Sequence, residues 1–323
     1  MRKIIVGPND GGQRIDRFLK KYFKGANLSF IYKNLRKKNI KLNGARAKED
    51  ELLKEGDEIY LYLSDETIEK FLKEEDVKKS QKLPKILYED ENICLLEKGV
   101  NILSHNDQRT YQDNMLDRFV DYLILKGDYN PRLENSFRPS ICNRLDRNTS
   151  GILIGAKNAK ALREINEAIR ERKVDKFYLA LVRGRISEDF EVNINLRKNE
   201  SNLVFEDREG KKSLTRFHPL ITKNDYSLLK VNLITGRTHQ IRASLAARGL
   251  YLIGDRKYGS GARDFIDYQA LHNYEIKFNM DGEFSYLNDK KFTYLPDNKL
   301  IKALEELFSA KIGDLVWQII LKK

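Results

Sequence analysis

The pattern of apolar and polar positions predicts two short helices near the start of the chain. Apolar residues between Ile15 and Phe23 recur at helical spacing, and charged residues fill the positions between them. A second helix is predicted over 30–38, with Ser29 as its N-cap. A strand over 40–42, a turn at Asn43-Gly44 and an alternating strand over 58–63 follow. Together these elements predict a small first module over residues 1–65.

The remainder of the chain predicts a larger second module over residues 83–323. Residues 66–82 are charged and contain no glycine, which is compatible with a short helix or a linker. The second module contains an apolar strand over 152–156, an amphipathic helix capped by Asn158 and a long strand over 226–234. Because strands and helices alternate irregularly, we expect an α+β protein whose second module has a mixed, largely antiparallel sheet.

The charge of the chain is concentrated in the first module. The formal net charge is +12, and the window from Arg14 to Lys48 holds twelve basic residues and one acidic residue. A basic surface on amphipathic helices favours a polyanion as partner, with nucleic acid first and an anionic membrane surface second. The candidate RNA contacts in this module are Arg14, Arg17, Lys20, Lys21, Lys33, Arg36 and Lys37.

Cysteine and histidine usage argues against a disulfide framework and against a metal site. Cys94 and Cys142 are the only cysteines, and both lie in apolar text typical of buried thiols in a reducing compartment. The four histidines show no metal-ligand spacing. No apolar run approaches the roughly 20 residues that a membrane span needs. We expect a cytoplasmic protein that does not bind membranes; the oligomeric state stays open, with a monomer as our expectation.

The most informative string runs from Asn143 to Gly151 and reads N-R-L-D-R-N-T-S-G. It places Asp146 between two arginines, immediately before an apolar strand. Neighbouring guanidinium groups stabilise a carboxylate anion, which makes Asp146 a candidate nucleophile. Taken alone, the same pattern is also compatible with a surface ion pair.

The full string resembles the R-L-D-x-x-T-S-G signature of RluA-type bacterial ribosomal large-subunit pseudouridine synthases. This resemblance implies that Asp146 is the catalytic aspartate, and that Arg237, within "LITGRTHQIRASLAARG", pairs with it. It further implies that Tyr178, in "DKFYLALVRG", is a catalytic residue that lies against the target base and can take part in proton transfer. Arg144 then corresponds to the arginine that enters the stack left by the flipped nucleotide, and Lys98 to a lysine that contacts RNA beside the cleft.

The first module resembles the small RNA-binding domain first seen in ribosomal protein S-four, over about residues 12–64. The order of its parts carries this resemblance: two basic helices, a strand-turn with "LNG", and the closing strand "EGDEIYLYL". It implies that the basic helices bind RNA while the second module acts on the uridine.

Two positions depart from the family pattern. Asn143 stands where the most common form has histidine, so a role that needs an ionisable ring is excluded there, although an amide can still hold the loop by hydrogen bonds. Gly99 replaces the proline that usually follows Lys98, which loosens that turn.

The resemblance implies an RNA pseudouridine synthase, an isomerase that acts without cofactor or metal. We expect large-subunit ribosomal RNA as its substrate ahead of transfer RNA. The sequence leaves open whether Asp146 attacks the uracil ring, attacks the anomeric carbon or deprotonates the sugar. The alternatives are a non-catalytic RNA-binding or ribosome-assembly factor on the same fold, and another RNA enzyme such as a methyltransferase. The lack of a G-x-G-x-x-G string after a strand argues against the latter.

Overall fold

The computed structural model describes residues 1–72, 82–106, 112–259, 265–288 and 290–308. In the first module, the strands form an antiparallel sheet in the order β1-β4-β2-β3, and two helices cover it. Its elements are β1 (Arg2–Ile5), α1 (Ile15–Tyr22), α2 (Leu28–Arg36), β2 (Ile40–Leu42), β3 (Ala45–Arg46) and β4 (Glu58–Leu61).

Helix α2 begins two residues earlier than the sequence predicts. Its N-cap is Asn27, whose side-chain oxygen accepts a hydrogen bond of 2.8 Å from the N–H of Phe30. Asn and Ser are comparable caps, so propensity does not distinguish Asn27 from Ser29. The predicted turn at Asn43-Gly44 is confirmed, since both residues have positive φ angles of 49° and 78°.

A helix follows the first sheet where the sequence allowed either a helix or a linker. This helix, α3 (Asp65–Phe71), has Ser64 as its N-cap and buries Ile68 in the hydrophobic cluster of the first module. That cluster therefore extends past residue 65. Residues 73–81 lie outside the described ranges, and the division at 65 and 82 stays a prediction.

In the described part of the second module, twelve strands form one large sheet. Its first half contains β5 (Lys85–Glu89), β6 (Ile93–Lys98), α4 (Met115–Lys126), β7 (Ser140–Ile141), β8 (Ser150–Ala156), α5 (Ala159–Arg170), β9 (Val174–Arg183) and β10 (Phe190–Lys198). Its second half contains β11 (Val204–Glu206), β12 (Lys211–Lys223), β13 (Tyr226–Leu233), α6 (Gln240–Ala246), β14 (Tyr251–Leu252), β15 (Leu271–Phe278), a 3-10 helix (Gly282–Leu287), β16 (Phe292–Thr293) and α7 (Asn298–Phe308).

The strand order of this sheet is β11-β10-β12-β13-β9-β15-β8-β6-β5, with β14 on β9, β16 on β15 and β7 on β8. Among the pairings of the described strands, β15 with β8 is parallel and the others are antiparallel. The predicted mixed, largely antiparallel sheet is confirmed. The predicted cap of α5 by Asn158 is confirmed as well, since its side chain accepts from the N–H of Ala161 at 2.8 Å.

The parallel pairing of β8 and β15 requires a glycine at its closest point. Gly151 has φ 133°, and a Cβ added there would lie 2.3 Å from the carbonyl oxygen of Asn273. Because no side chain fits that gap, Gly151 allows β15 to approach the start of β8. This approach fixes the base of the 142–149 loop, the segment between β7 and β8.

The two cysteines are free. Cys94 is buried in β6, and Cys142 is partly buried at the start of the 142–149 loop. Burial raises the pKa of both thiols to about 12. They are therefore poor nucleophiles near neutral pH.

Candidate active site

An open pocket lies where the 142–149 loop meets β9 and the start of α6. It brings together four side chains that the sequence predicts for the site: Arg144, Asp146, Tyr178 and Arg237. These residues come from three separated segments of the chain, so the fold assembles them. The apolar part of the lining comes from Leu145, Leu233, Ile241 and Leu271.

The backbone around Asp146 is held by neighbouring polar side chains. The hydroxyl of Ser104 donates to the carbonyl of Leu145 at 2.9 Å and accepts from its N–H at 3.1 Å. The N–H of Thr149 donates to the carbonyl of Asp146 at 3.0 Å and closes the turn. These bonds fix the direction in which the carboxylate leaves the loop.

Asn143 anchors the loop to β8, as its amide character predicts. Its Nδ2 donates to the carbonyl of Ile152 at 3.1 Å, and its Oδ1 accepts from the N–H of Ile154 at 2.8 Å. The side chain is buried, so both halves of the amide are used inside the protein. An amide needs no change of protonation to make this pair of bonds.

The prediction that Lys98 contacts RNA is wrong, because its side chain is fully buried. Its Nζ donates to the carbonyl oxygens of Gly99, Arg147 and Thr149 at 3.0, 2.9 and 2.8 Å. Lys98 therefore holds the 142–149 loop from beneath. Burial lowers its pKa to about 7, although the Asp146 carboxylate opposes that shift.

The prediction that Arg237 pairs with Asp146 is also wrong, since the partner is Arg242 on α6. The Nη1 of Arg242 donates to Oδ2 of Asp146 at 2.9 Å. Its Nε and Nη2 each donate to the carboxylate of Asp255 at 2.7 Å. The side chain of Asp255 is 1% exposed. The fork of Arg242 is thus fixed on a buried carboxylate and presents its remaining nitrogen to Asp146.

Arg237 lines the same pocket but is exposed and lies before α6. Its Nε donates to the carbonyl of Lys212 at 3.1 Å, which directs the guanidinium toward β12. Gln240 holds this turn by accepting from the N–H of Arg237 at 2.9 Å and from the Thr235 hydroxyl at 2.8 Å. Arg237 therefore lies at the rim of the pocket.

Arg242 supplies the positive charge that is hydrogen-bonded to Asp146. Burial opposes that charge, but the hydrogen bonds and the charges of Asp255 and Asp146 outweigh it and raise the pKa of Arg242. Its guanidinium also stacks on the ring of Tyr258 at 4.8 Å. The side chain of Asp146 is 23% exposed, so the anion that Arg242 stabilises remains accessible from the pocket.

Tyr178 forms part of the pocket lining. It lies on β9, between Val231 of β13 and Asn273 of β15, and its side chain is almost fully buried. Burial, with a smaller effect of the Asp146 carboxylate, raises its pKa well above the ordinary value of a tyrosine. Tyr178 is therefore a neutral phenol near pH 7.

Four further residues of the site were not predicted from the sequence: Arg242, Asp255, His239 and Tyr258. His239 has a φ angle of 51°, its Nε2 lies 3.9 Å from Oδ2 of Asp146, and its Nδ1 hydrogen-bonds the Tyr258 hydroxyl at 2.9 Å. Burial lowers the pKa of His239 despite the nearby carboxylate. A signal was present, since Arg242 follows Arg237 within the same string and an aspartate and a tyrosine follow in "GDRKYG".

The basic residues predicted to bind RNA are mostly exposed on α1 and α2. Arg14 is an exception, because its guanidinium makes two hydrogen bonds with the buried carboxylate of Asp16. The exposed side chains are those of Arg17, Lys20, Lys21, Lys33, Arg36 and Lys37.

Over the described ranges, no three His, Cys, Asp or Glu side chains cluster closely enough to hold a metal ion. Within the same ranges, no helix has the length and apolar character to cross a membrane.

The chain matches known proteins over most of its length. Residues 92–247 match the family model described as RNA pseudouridylate synthase. An uncharacterized RNA pseudouridine synthase of Mycoplasma capricolum is 33% identical over 307 residues, which cover 92% of this chain and 98% of that protein. The ribosomal large subunit pseudouridine synthase C of Vibrio parahaemolyticus is 36% identical over 295 residues, covering 85% and 87%.

The fold also matches a solved structure. Human RNA pseudouridylate synthase domain containing 4 aligns with a TM-score of 0.55 at 19% identity, over 69% of this chain and 92% of that chain. At this identity the match supports the fold alone.

Replacing Arg242 and Arg237 separately tests which arginine supports the site. In Arg242→Met the buried Asp255 carboxylate loses its cation, so the free energy of unfolding should fall by about 3–5 kcal/mol. In Arg237→Met an exposed side chain is lost, and the change should stay within about 0.5 kcal/mol. Urea denaturation measures both values, and equal losses would contradict the assignment.

The buried Lys98 predicts a pH dependence of stability. Its folded-state pKa of about 7 lies below the ordinary 10.5, so between these values the unfolded chain binds a proton that the folded chain does not. The free energy of unfolding should then rise with pH, by up to about 1.4 kcal/mol per unit, relative to Lys98→Met. Urea denaturation from pH 6 to 10 measures the difference, with exposed Lys299→Met as control; a difference independent of pH would mean that Lys98 stays charged.

Proposed function

Because the chain belongs to the RNA pseudouridylate synthase family, we propose that it converts specific uridines of large-subunit ribosomal RNA to pseudouridine. The chain is an isomerase of this family, and relatives that it matches over most of their length are named for the large ribosomal subunit. The single observation that carries the proposal is the pair of Asp146 and Arg242 in an open pocket beside Tyr178. Such a substrate places its action in the cytoplasm.

The reaction needs an anion, a place for a detached base and a route for one proton. The bond between N1 of uracil and the anomeric carbon breaks, the base rotates, and a bond forms from C5 to the same carbon. The C5 proton leaves, and N1 gains a proton. Asp146 supplies the anion, and it attacks C6 of the ring, attacks the anomeric carbon or removes a sugar proton.

The proposed reaction requires the uridine to leave its helix. Asp146 is mostly buried, with a 23% exposed side chain held by Arg242 of α6, so we expect that a base stacked within a helix does not reach it. Flipping a nucleotide costs a few kcal/mol. The apolar lining and the phenol of Tyr178 offset part of that cost by enclosing the uracil ring. Arg144, exposed at the pocket, is placed to enter the vacated stack.

Cations near the pocket complement an RNA backbone. Arg144 and Arg237 belong to its lining, and Lys257 lies close enough to Asp146, Arg242 and Lys198 for their charges to affect its pKa. Burial is the main cause that lowers the pKa of Lys257. The positive charges of Arg242 and Lys198 lower it further, because they repel a protonated Lys257. A phosphate next to the flipped nucleotide would relieve this repulsion.

The first module supplies a second region of positive charge. Lys33, Arg36 and Lys37 are exposed on α2 and at its end. Their side chains face solvent, so they can contact phosphates without loss of core packing.

Asp146→Asn tests the catalytic assignment. The variant keeps the shape of the side chain but removes the anion, so pseudouridine formation should fall by at least about 10⁴-fold, the scale seen when a nucleophile is removed. RNA affinity should change by less than threefold, since the phosphate contacts are retained. Release of the C5 hydrogen from ribosomal RNA transcripts measures the activity, and Asp281→Asn, at an 86% exposed side chain, is the control. Turnover by Asp146→Asn near the wild-type rate would refute the assignment.

The salt dependence of RNA affinity tests the role of α2. Changing Lys33, Arg36 and Lys37 to glutamine should reduce the slope of log affinity against log salt by about 2–3, because each lost phosphate contact releases 0.7–0.9 fewer counterions. The control changes Lys160, Lys173 and Lys299, which are paired with acidic residues elsewhere on the surface. A slope unchanged by the first set would place the RNA contacts on another surface.

A further inference from the structure

The two modules meet through a polar contact that includes a buried carboxylate. Asp10 belongs to the docking loop, residues 7–13 of the first module, and is 1% exposed. Its Oδ2 accepts from Nδ2 of Asn135 at 2.8 Å, and its Oδ1 accepts from the hydroxyl of Ser136 at 2.5 Å. Both donors belong to the receiving loop, residues 134–136 of the second module. The burial of Asp10 thus depends on contact with the second module.

Asn9 makes a second fixed point in the same loop. Its Nδ2 donates to Oε1 of Glu134 at 2.8 Å, and its Oδ1 accepts from the N–H of Ala159 at 3.0 Å. Ala159 is the first residue of α5, where backbone N–H groups have no partner inside the helix. Asn9 therefore binds the receiving loop and α5 at once.

Two further contacts extend the junction toward α1. Nε2 of Gln13 donates to the hydroxyl of Ser136 at 3.0 Å, while its Oε1 accepts from Nζ of Lys21 at 2.9 Å. Nη1 of Arg163, on α5, donates to the carbonyl of Gly11 at 3.3 Å. The junction is thus continuous with the helix that carries the exposed basic side chains.

This contact specifies an orientation. An apolar junction tolerates sliding, but a buried carboxylate loses its water and regains hydrogen bonds in one arrangement only. The bonds at Asn9, Asp10, Gly11 and Gln13 converge from different directions onto two elements of the second module. They therefore restrain rotation of the first module as well as its separation.

We infer that Asp10 is a positioning residue, and that the docking loop holds α1 and α2 at a set distance from Asp146. This inference rests on the proposed function. An RNA that binds the basic helices then presents to the pocket only the uridine at the matching distance. The junction thereby contributes to the choice of uridine, although it lies outside the pocket.

The first experiment measures docking without RNA. Dyes on Glu49→Cys and Leu125→Cys, both at exposed positions, report the distance between the modules by energy transfer. The natural thiols are buried or partly buried, with pKa values raised to about 12, so they react slowly. We expect one narrow distance in the parent protein and a broad distribution in Asp10→Ala. A broad distribution in the parent would overturn the inference, whatever the enzyme does.

The second experiment measures the choice of uridine. The substrates are a full-length large-subunit ribosomal RNA transcript and a short stem-loop cut from it around the modified uridine. Asp10→Ala should lower kcat/KM on the transcript by about tenfold to a hundredfold, the scale of a misplaced substrate, and leave the stem-loop rate unchanged. Equal losses on both RNAs would mean general damage to the fold and would overturn the inference.

Matched variants guard against misfolding of the first module. Ser136→Ala removes a bond to Asp10 from the other side, so it should reproduce both effects while leaving the first module unaltered. Asp50→Ala removes an exposed carboxylate from the same module and should leave the distance distribution unchanged. If the parent protein forms no pseudouridine, the proposed function fails, and the dye experiment still decides whether the modules are docked.

Discussion

The geometry of the site depends on one guanidinium, that of Arg242, shared between two carboxylates. Two of its nitrogens are fixed by Asp255, which also accepts from the backbone N–H groups of Lys257 and Tyr258 at 3.0 and 3.2 Å. The third nitrogen reaches Asp146. Because Asp255 is buried, Arg242 cannot turn away without removing the cation that is hydrogen-bonded to this carboxylate. The planar fork matters here, since a lysine could not serve both carboxylates with the same directions.

The backbone of the 142–149 loop meets this cation from the other side. Lys98 binds carbonyls of the loop from beneath, Ser104 binds Leu145, and Asn143 binds β8. The carboxylate and its partner are therefore each held by separate elements of the second module. Charge placed in advance requires little reorganisation when the reaction begins. The fold contributes to chemistry mainly through this preorganisation.

Local features were predictable from the sequence, whereas the pairing of charged side chains in the site was not. The cap of α5 and the apolar faces of the helices follow from residue spacing, whereas the cap of α2 does not, and the string around Asp146 predicted the carboxylate of the pocket. Arg237 and Arg242 stand five residues apart in one string, and the pairing depends on where α6 begins and on the distant Asp255. Lys98 ends an apolar strand, where a lysine usually reaches solvent; it is buried because residues 147–149 fold over it. Both errors involve contacts between segments far apart in the chain.

The protonation states of the site narrow the roles that its residues can take. Burial raises the pKa of Tyr178, which favours the neutral phenol, a form that can donate a hydrogen bond. Burial lowers the pKa of His239, which favours the neutral form of its imidazole ring. Asn143 holds the loop without titrating. We propose that Asp146, the carboxylate among the pocket-lining side chains, accepts the C5 proton after it has acted on the uridine.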